Sequence, residues 1–116
     1  MARIKRGMVS RRKHKKLLAL TKGYRGTKSR LVKVAKEAAL HAGSYAYHGR
    51  KIRKRDMRSL WITRIGEAVK QEGLSYSVFM NKLKKSQIQL DRKTLSDLVV
   101  HDQTVFKHLV DSVKNV

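Results

Sequence analysis

The chain has no cysteine and no proline. The first absence excludes disulfides and thiolate metal sites. The second removes the residue that most forcibly ends a helix from within. Long apolar runs are missing too. The longest, Leu17-Leu18-Ala19-Leu20, falls far short of a signal-peptide core or a membrane span, so the protein reads as soluble and unexported. Acids number eight against 29 Lys and Arg, which leaves catalysis little to stand on. Asp91 and Asp102 fit helix caps, and Glu67, Glu72, Asp97 and Asp111 fit solvated helix positions. No paired acid and base, nucleophile motif or Gly-rich phosphate loop occurs, so neither an enzyme nor a cofactor nor a small-molecule substrate is expected. The histidines His41 with His48, and His101 with His108, stand two helical turns apart with no thiol or carboxylate completing a set. They read as surface or phosphate-facing imidazoles, and no metal is expected.

What is present is charge of one sign, unevenly placed. Residues 1–58 hold 20 Lys and Arg against Glu37 and Asp56, a net of +18, while residues 59–116 hold nine against six, a net of +3. A segment so charged repels itself out of a compact state unless a dense anionic partner supplies counter-charge, and nucleic acid is the usual one. A basic membrane helix would need a bulky apolar face opposite its charges. The first half offers mostly Ala, Val and a few Leu, so no membrane partner is expected.

Residues 50–65, R-K-I-R-K-R-D-M-R-S-L-W-I-T-R-I, join the two regimes. At helical rotation Arg50, Lys51, Arg53, Lys54, Arg55 and Arg58 surround the axis, leaving no apolar face. From Met57 the pattern changes: Met57, Trp61, Ile65 and Ala68 fall on one side, with Leu60 and Val69 flanking. This predicts a stripe entering a core, with Trp61 in it.

Along the chain, residues 1–16 have almost nothing to bury. A short helix is expected over 11–20, ended by the turn Gly23-Tyr24-Arg25-Gly26. Thr27 fits the N-cap of the next helix, which should start at Lys28 and run through Gly43 and Gly49 to Glu72, roughly 65 Å at 1.5 Å per residue. Gly73 suits its C-terminus. Ser75 or Ser77 can cap a helix bearing Phe79, Met80 and Leu83, Ile88 and Leu90 fall in a connector, and Asp91 and Asp102 can cap two more helices. The expected fold is all-α: a long basic N-terminal helical extension, then a small C-terminal helical bundle. The domains are a basic RNA-binding arm over 1–58 and a globular all-helical domain over 59–116, the latter stable by about 3–5 kcal/mol.

The candidate nucleic-acid contacts are Arg3, Lys5, Arg6, Arg11, Arg12, Lys13, His14, Lys15, Lys16, Lys22, Arg25, Lys28, Arg30, Lys33, Arg50, Lys51, Arg53, Lys54, Arg55 and Arg58. Tyr24, Tyr45 and Tyr47 join them, because tyrosines interleaved with cations suit stacking on exposed bases, although each could instead pack under a neighbouring segment. No helix-turn-helix, zinc finger or heptad zipper points to duplex DNA. A long basic rod with arms fits threading between packed RNA helices. A regulatory or architectural nucleic-acid binder is the alternative class.

The motifs M-A-R-I-K-R-G, H-K-K-L-L-x-L-T-K-G-Y-R-G-T-K-S-R-L, V-A-K-E-A, Y-A-Y, K-R-D-M-R-S-L-W-I-T-R-I, G-L-S-Y-S-x-F-M-N-x-L-K-K and L-D-R-K-T-L-S-D-L-V together resemble the ribosomal protein L20 family, in register over nearly the whole chain. Gly66 stands where that family usually has Asn, and His48-Gly49 where charged residues are common. The resemblance implies an N-terminal extension buried in large-subunit ribosomal RNA and a small C-terminal domain that also binds RNA. It further implies neighbouring large-subunit proteins as partners, a role in early subunit assembly and, in some bacteria, repression of the family's own messenger RNA. The implied location is the cytoplasmic ribosome of a bacterium, or a plastid or mitochondrial ribosome.

Overall fold

A computed structural model of the protein describes residues 5–114, all of whose regular structure is helical. In chain order the elements are α1 (Gly7–Leu20), a short 3-10 turn (Gly26–Ser29), α2 (Val32–Gln71), α3 (Tyr76–Lys85), α4 (Arg92–His101) and α5 (Gln103–Lys114). The chain divides into two compact units, Met1–Lys51 and Ile52–Val116.

In the first unit α1 begins at Gly7, four residues before the predicted Arg11, because nothing interrupts the ladder that opens with Ser10 N–H donating to the Arg6 carbonyl at 3.0 Å. The predicted turn forms, with Gly23 at φ 85° and Gly26 at φ 67°, a left-handed region that side chains with a Cβ rarely adopt. Thr27 does not cap α2. It lies inside the 3-10 turn, where its carbonyl accepts from Arg30 N–H at 3.0 Å and Leu31 N–H at 2.9 Å. Arg30 closes the 3-10 turn at φ −118°, and α2 starts only at Val32, its ladder opening with Ala35 N–H donating to the Leu31 carbonyl at 2.8 Å. Gly43 and Gly49 are carried through α2 without a break, as predicted in the absence of proline. Within this unit the described residues bury only Thr21 and Ala35 fully.

The second unit has a core. Ile65 and Val69 of α2 join Phe79 and Leu83 of α3, Leu95 of α4, and Phe106, Val110 and Val113 of α5. The Phe79 and Phe106 rings meet at 5.9 Å with a 54° tilt. Two corrections concern the approach to this core. Trp61 is only half-buried and lies outside the core cluster, and Met57 and Leu60 are 38% and 41% exposed. The helical stripe has the predicted phase, but α3 to α5 are 10, 10 and 12 residues long and cover it only from Ile65 onward.

Capping explains where these short helices begin and end. After α2, Gly73 at φ 80° lets its own N–H reach the Lys70 carbonyl and Leu74 N–H reach the Val69 carbonyl, closing a Schellman motif. The same pair of bonds closes α3, where Gln87 N–H reaches Lys84 and Ile88 N–H reaches Leu83, but here Gln87 occupies the left-handed position at φ 55°. Ser75, not Ser77, caps α3 by accepting from Val78 N–H, and Asp91 Oδ1 accepts from Thr94 N–H at 2.7 Å. Asp102 fails as a side-chain cap. At φ −136°, ψ 68° it serves as the C-cap of α4 through its backbone, and only its carbonyl reaches Phe106 N–H. Glu72 is not a solvated position either. Its side chain is 23% exposed and pairs with Lys114 at 3.3 Å and Lys107 at 3.9 Å. Lys114 also meets Asp111, and the Lys82 ammonium donates to the Lys114 carbonyl at 2.6 Å. These contacts tie the ends of α2, α3 and α5 together.

Candidate nucleic-acid interface

The cations expected to meet a polyanion are all exposed where they are described. Lys5 and Arg6 precede α1, which carries Arg11, Arg12, Lys13, His14, Lys15 and Lys16. Lys22, Arg25, Lys28 and Arg30 follow on the turn and the 3-10 segment. Lys33, Arg50 and Lys51 stand on α2 within the first unit, and Arg53, Lys54, Arg55 and Arg58 stand on the part of α2 in the second. Arg3 lies outside the described residues. Among the described residues none of these Lys or Arg side chains forms an ion pair with a carboxylate. Lys36, also exposed on α2, belongs with them although it was not singled out from the sequence, since its position in the same basic run was the available signal.

Residues 43–60 of α2 are exposed at every position. A helix so bare buries too little to offset its ordering entropy in water, and its hydrogen bonds alone are marginal for stability. What such a surface offers instead is positive charge on all sides.

The tyrosines do not pack beneath neighbouring segments. Tyr24, Tyr45 and Tyr47 are 37%, 72% and 53% exposed. Tyr45 stacks one helical turn from His41, with ring centroids 5.9 Å apart and planes 25° apart. Tyr47 meets His48 edge-on at 5.6 Å, and the Lys51 ammonium lies 5.2 Å from the Tyr47 ring centre, within cation–π range. The His48 ring sits over its own helix, Nδ1 at 2.9 Å from the Ser44 carbonyl, which fixes Nδ1 as the donor of the neutral ring. The two histidines are therefore parts of aromatic pairs, which their i, i+4 and i, i+1 spacing to tyrosine could have revealed. Among the described residues no cluster of three or more His, Asp or Glu could hold a metal ion, and no helix is long and apolar enough to cross a membrane.

A family profile described as ribosomal protein L20 matches residues 3–109. The chain belongs to the ribosomal protein L20 family. Relatives named large ribosomal subunit protein bL20 are similar over nearly their whole length. That of Caldanaerobacter subterraneus subsp. tengcongensis is 54% identical over 98% of this chain and 96% of its own. That of Albidiferax ferrireducens is 53% identical over 98% and 96%, and that of Cupriavidus taiwanensis 49% over 98% and 97%. These relatives are bacterial, and the L20 family consists of structural ribosomal components of the large subunit, not enzymes.

Proposed function

We propose that this protein is a structural constituent of the large ribosomal subunit that binds large-subunit ribosomal RNA directly and promotes early subunit assembly. The observation that carries this reading is the bare run of residues 43–60, a helix exposed at every position that carries Arg50, Lys51, Arg53, Lys54, Arg55 and Arg58 and no core of its own. Phosphates converging from several RNA strands supply what that helix lacks, because each charge-assisted contact gains energy while the self-repulsion is removed. The basic arm, residues 1–58, would be the principal anchor and the small bundle a second contact beside neighbouring large-subunit proteins. Sedimentation of the native protein with large subunits, followed by crosslinking of protein residues to RNA nucleotides, tests the reading. Crosslinks from Arg53, Lys54 or Tyr47 to large-subunit RNA are expected. A protein that sediments free of ribosomal particles, bound to other nucleic acid, would overturn it.

A further inference from the structure

The first unit contains a single acid, Glu37, among 16 Lys and Arg, and it does not sit at random. It lines an open groove of about 470 Å³, within the size range of small-ligand sites at roughly 300–1,000 Å³. The floor is Val34, Ala38 and Ala42 of α2, small side chains on one helical face. Tyr45, stacked on His41, closes one end with a flat aromatic surface, and Tyr24 and Lys28 enter from the turn between α1 and α2. That turn depends on Gly23 and Gly26, both at positive φ. The Glu37 carboxylate is 73% exposed and lies 4.0 Å from His41 Nε2, and among the described residues it makes no ion pair with a lysine or arginine.

We infer that this groove receives one unstacked guanine of a single-stranded or bulged RNA segment. The inference rests on the RNA-binding reading above. An aromatic face beside an apolar floor stacks any base. Lys28 supplies a cation at the rim for the adjoining phosphate. A carboxylate at that rim is unfavourable toward phosphate and is useful only toward a donor. It accepts hydrogen bonds and cannot donate them. Guanine presents N1–H and the N2 amino group side by side, so one carboxylate accepts both. Adenine and cytosine each set a ring acceptor beside their amino group, and uracil flanks its single N–H with two carbonyls. Guanine alone therefore offers the Glu37 carboxylate two adjacent donors, whereas the other three bases set no second donor beside the first.

The test uses the full chain and four RNA hairpins identical except for one bulged nucleotide, titrated by fluorescence anisotropy at about 0.3 M salt, where phosphate contacts weigh less. The bulged-guanine hairpin should bind about tenfold tighter than the bulged-uracil one, the size of one good bidentate base contact. Glu37→Gln should erase that preference, because the amide both donates and accepts. Tyr45→Ala should weaken the bulged-guanine hairpin by about tenfold, the size of one lost stack. Both side chains are exposed, and matched helical circular dichroism of the RNA complexes separates lost affinity from lost fold. Equal affinity for the four hairpins, or a guanine preference that survives Glu37→Gln, overturns the groove while leaving RNA binding intact. Failure of the chain to bind any hairpin overturns both readings.

Discussion

The two units are built from the same element and held together by different means. In the first, the described residues bury only Thr21 and Ala35, and residues 1–51 carry 16 Lys and Arg against one acid, a net of +15. In the second, eight apolar side chains among the described residues, from four helices, close a core, and residues 52–116 carry 13 cations against seven acids, a net of +6. Helix α2 belongs to both, and its backbone hydrogen bonds run without interruption from one regime into the other. Local bonding thus decides that a segment can be helical, while side-chain partners decide whether it stays so in water. For the second unit those partners are protein; for the first we propose phosphates and bases.

The largest expected effect comes from removing the first unit. If the arm neutralises about ten phosphates, log affinity for large-subunit RNA should fall with log salt at a slope of about −7 to −9. A chain of residues 52–116, which keeps the whole core, should bind more weakly and with a much shallower slope in the same titration. An unchanged slope would move the main RNA surface into the bundle. Next comes the core itself. Ile65→Ala should cost about 2–5 kcal/mol, comparable with the whole stability of the bundle, and be read as a large drop in melting temperature. Trp61→Ala, one helical turn earlier, should cost less, about 1–2 kcal/mol, because its side chain is only partly buried and lies outside the core cluster. Equal costs at 61 and 65 would erase the boundary drawn between them.

Smaller effects should appear at the helix ends. Hydrogen bonding from Thr94, its side chain first and then its backbone N–H, together with Lys93 holds the Asp91 carboxyl below its ordinary range. A depressed folded value stabilises above the unfolded one and is lost as the carboxyl protonates. Stability of the bundle should therefore fall as pH drops below about 4, and Asp91→Asn should flatten that acid limb. Thermal melts between about pH 3 and 6 check this. Lys114 has the opposite sign. Its bonds to Asp111 and then Glu72 raise its affinity for a proton, so its contribution fades only as pH rises through its own strongly alkaline range. The smallest change is Gln87→Gly, which should raise stability by about 0.5 kcal/mol by relieving the left-handed backbone at φ 55°. The same substitution at Gln71, an exposed residue in the last turn of α2, should lower stability instead.

Much of this was legible in the residues. The split of charge, the uninterrupted α2, the caps at Ser75 and Asp91 and the stop at Gly73 follow from side-chain chemistry that acts within a few residues. The misplacements share a cause. Periodicity located the face of α2 that carries Trp61 and Ile65, but how far α3 to α5 extend along that face is a tertiary fact. Asp102 has the composition of a cap, yet the short join between α4 and α5 leaves it a backbone that cannot aim the carboxylate. Gln87 adopts a glycine-like conformation because Ile88 is drawn back to the core, a pull that no local propensity records. For the candidate interface, residue type picks out cations that are exposed in the structure. The groove could not be picked out so, because which face of α2 the turn lays Tyr24 and Lys28 against is a tertiary fact.

Amide hydrogen exchange on the full chain, alone and bound to large-subunit RNA, tests the contrast between the two units most directly. Alone, slow exchange should be confined to residues 65–114, where the apolar core closes. With RNA, protection should spread into residues 28–58 and should recede first from there as salt is raised. Strong protection of residues 28–58 in the free protein, or none gained on binding RNA, would contradict the claim that RNA stands in for the core the first unit lacks.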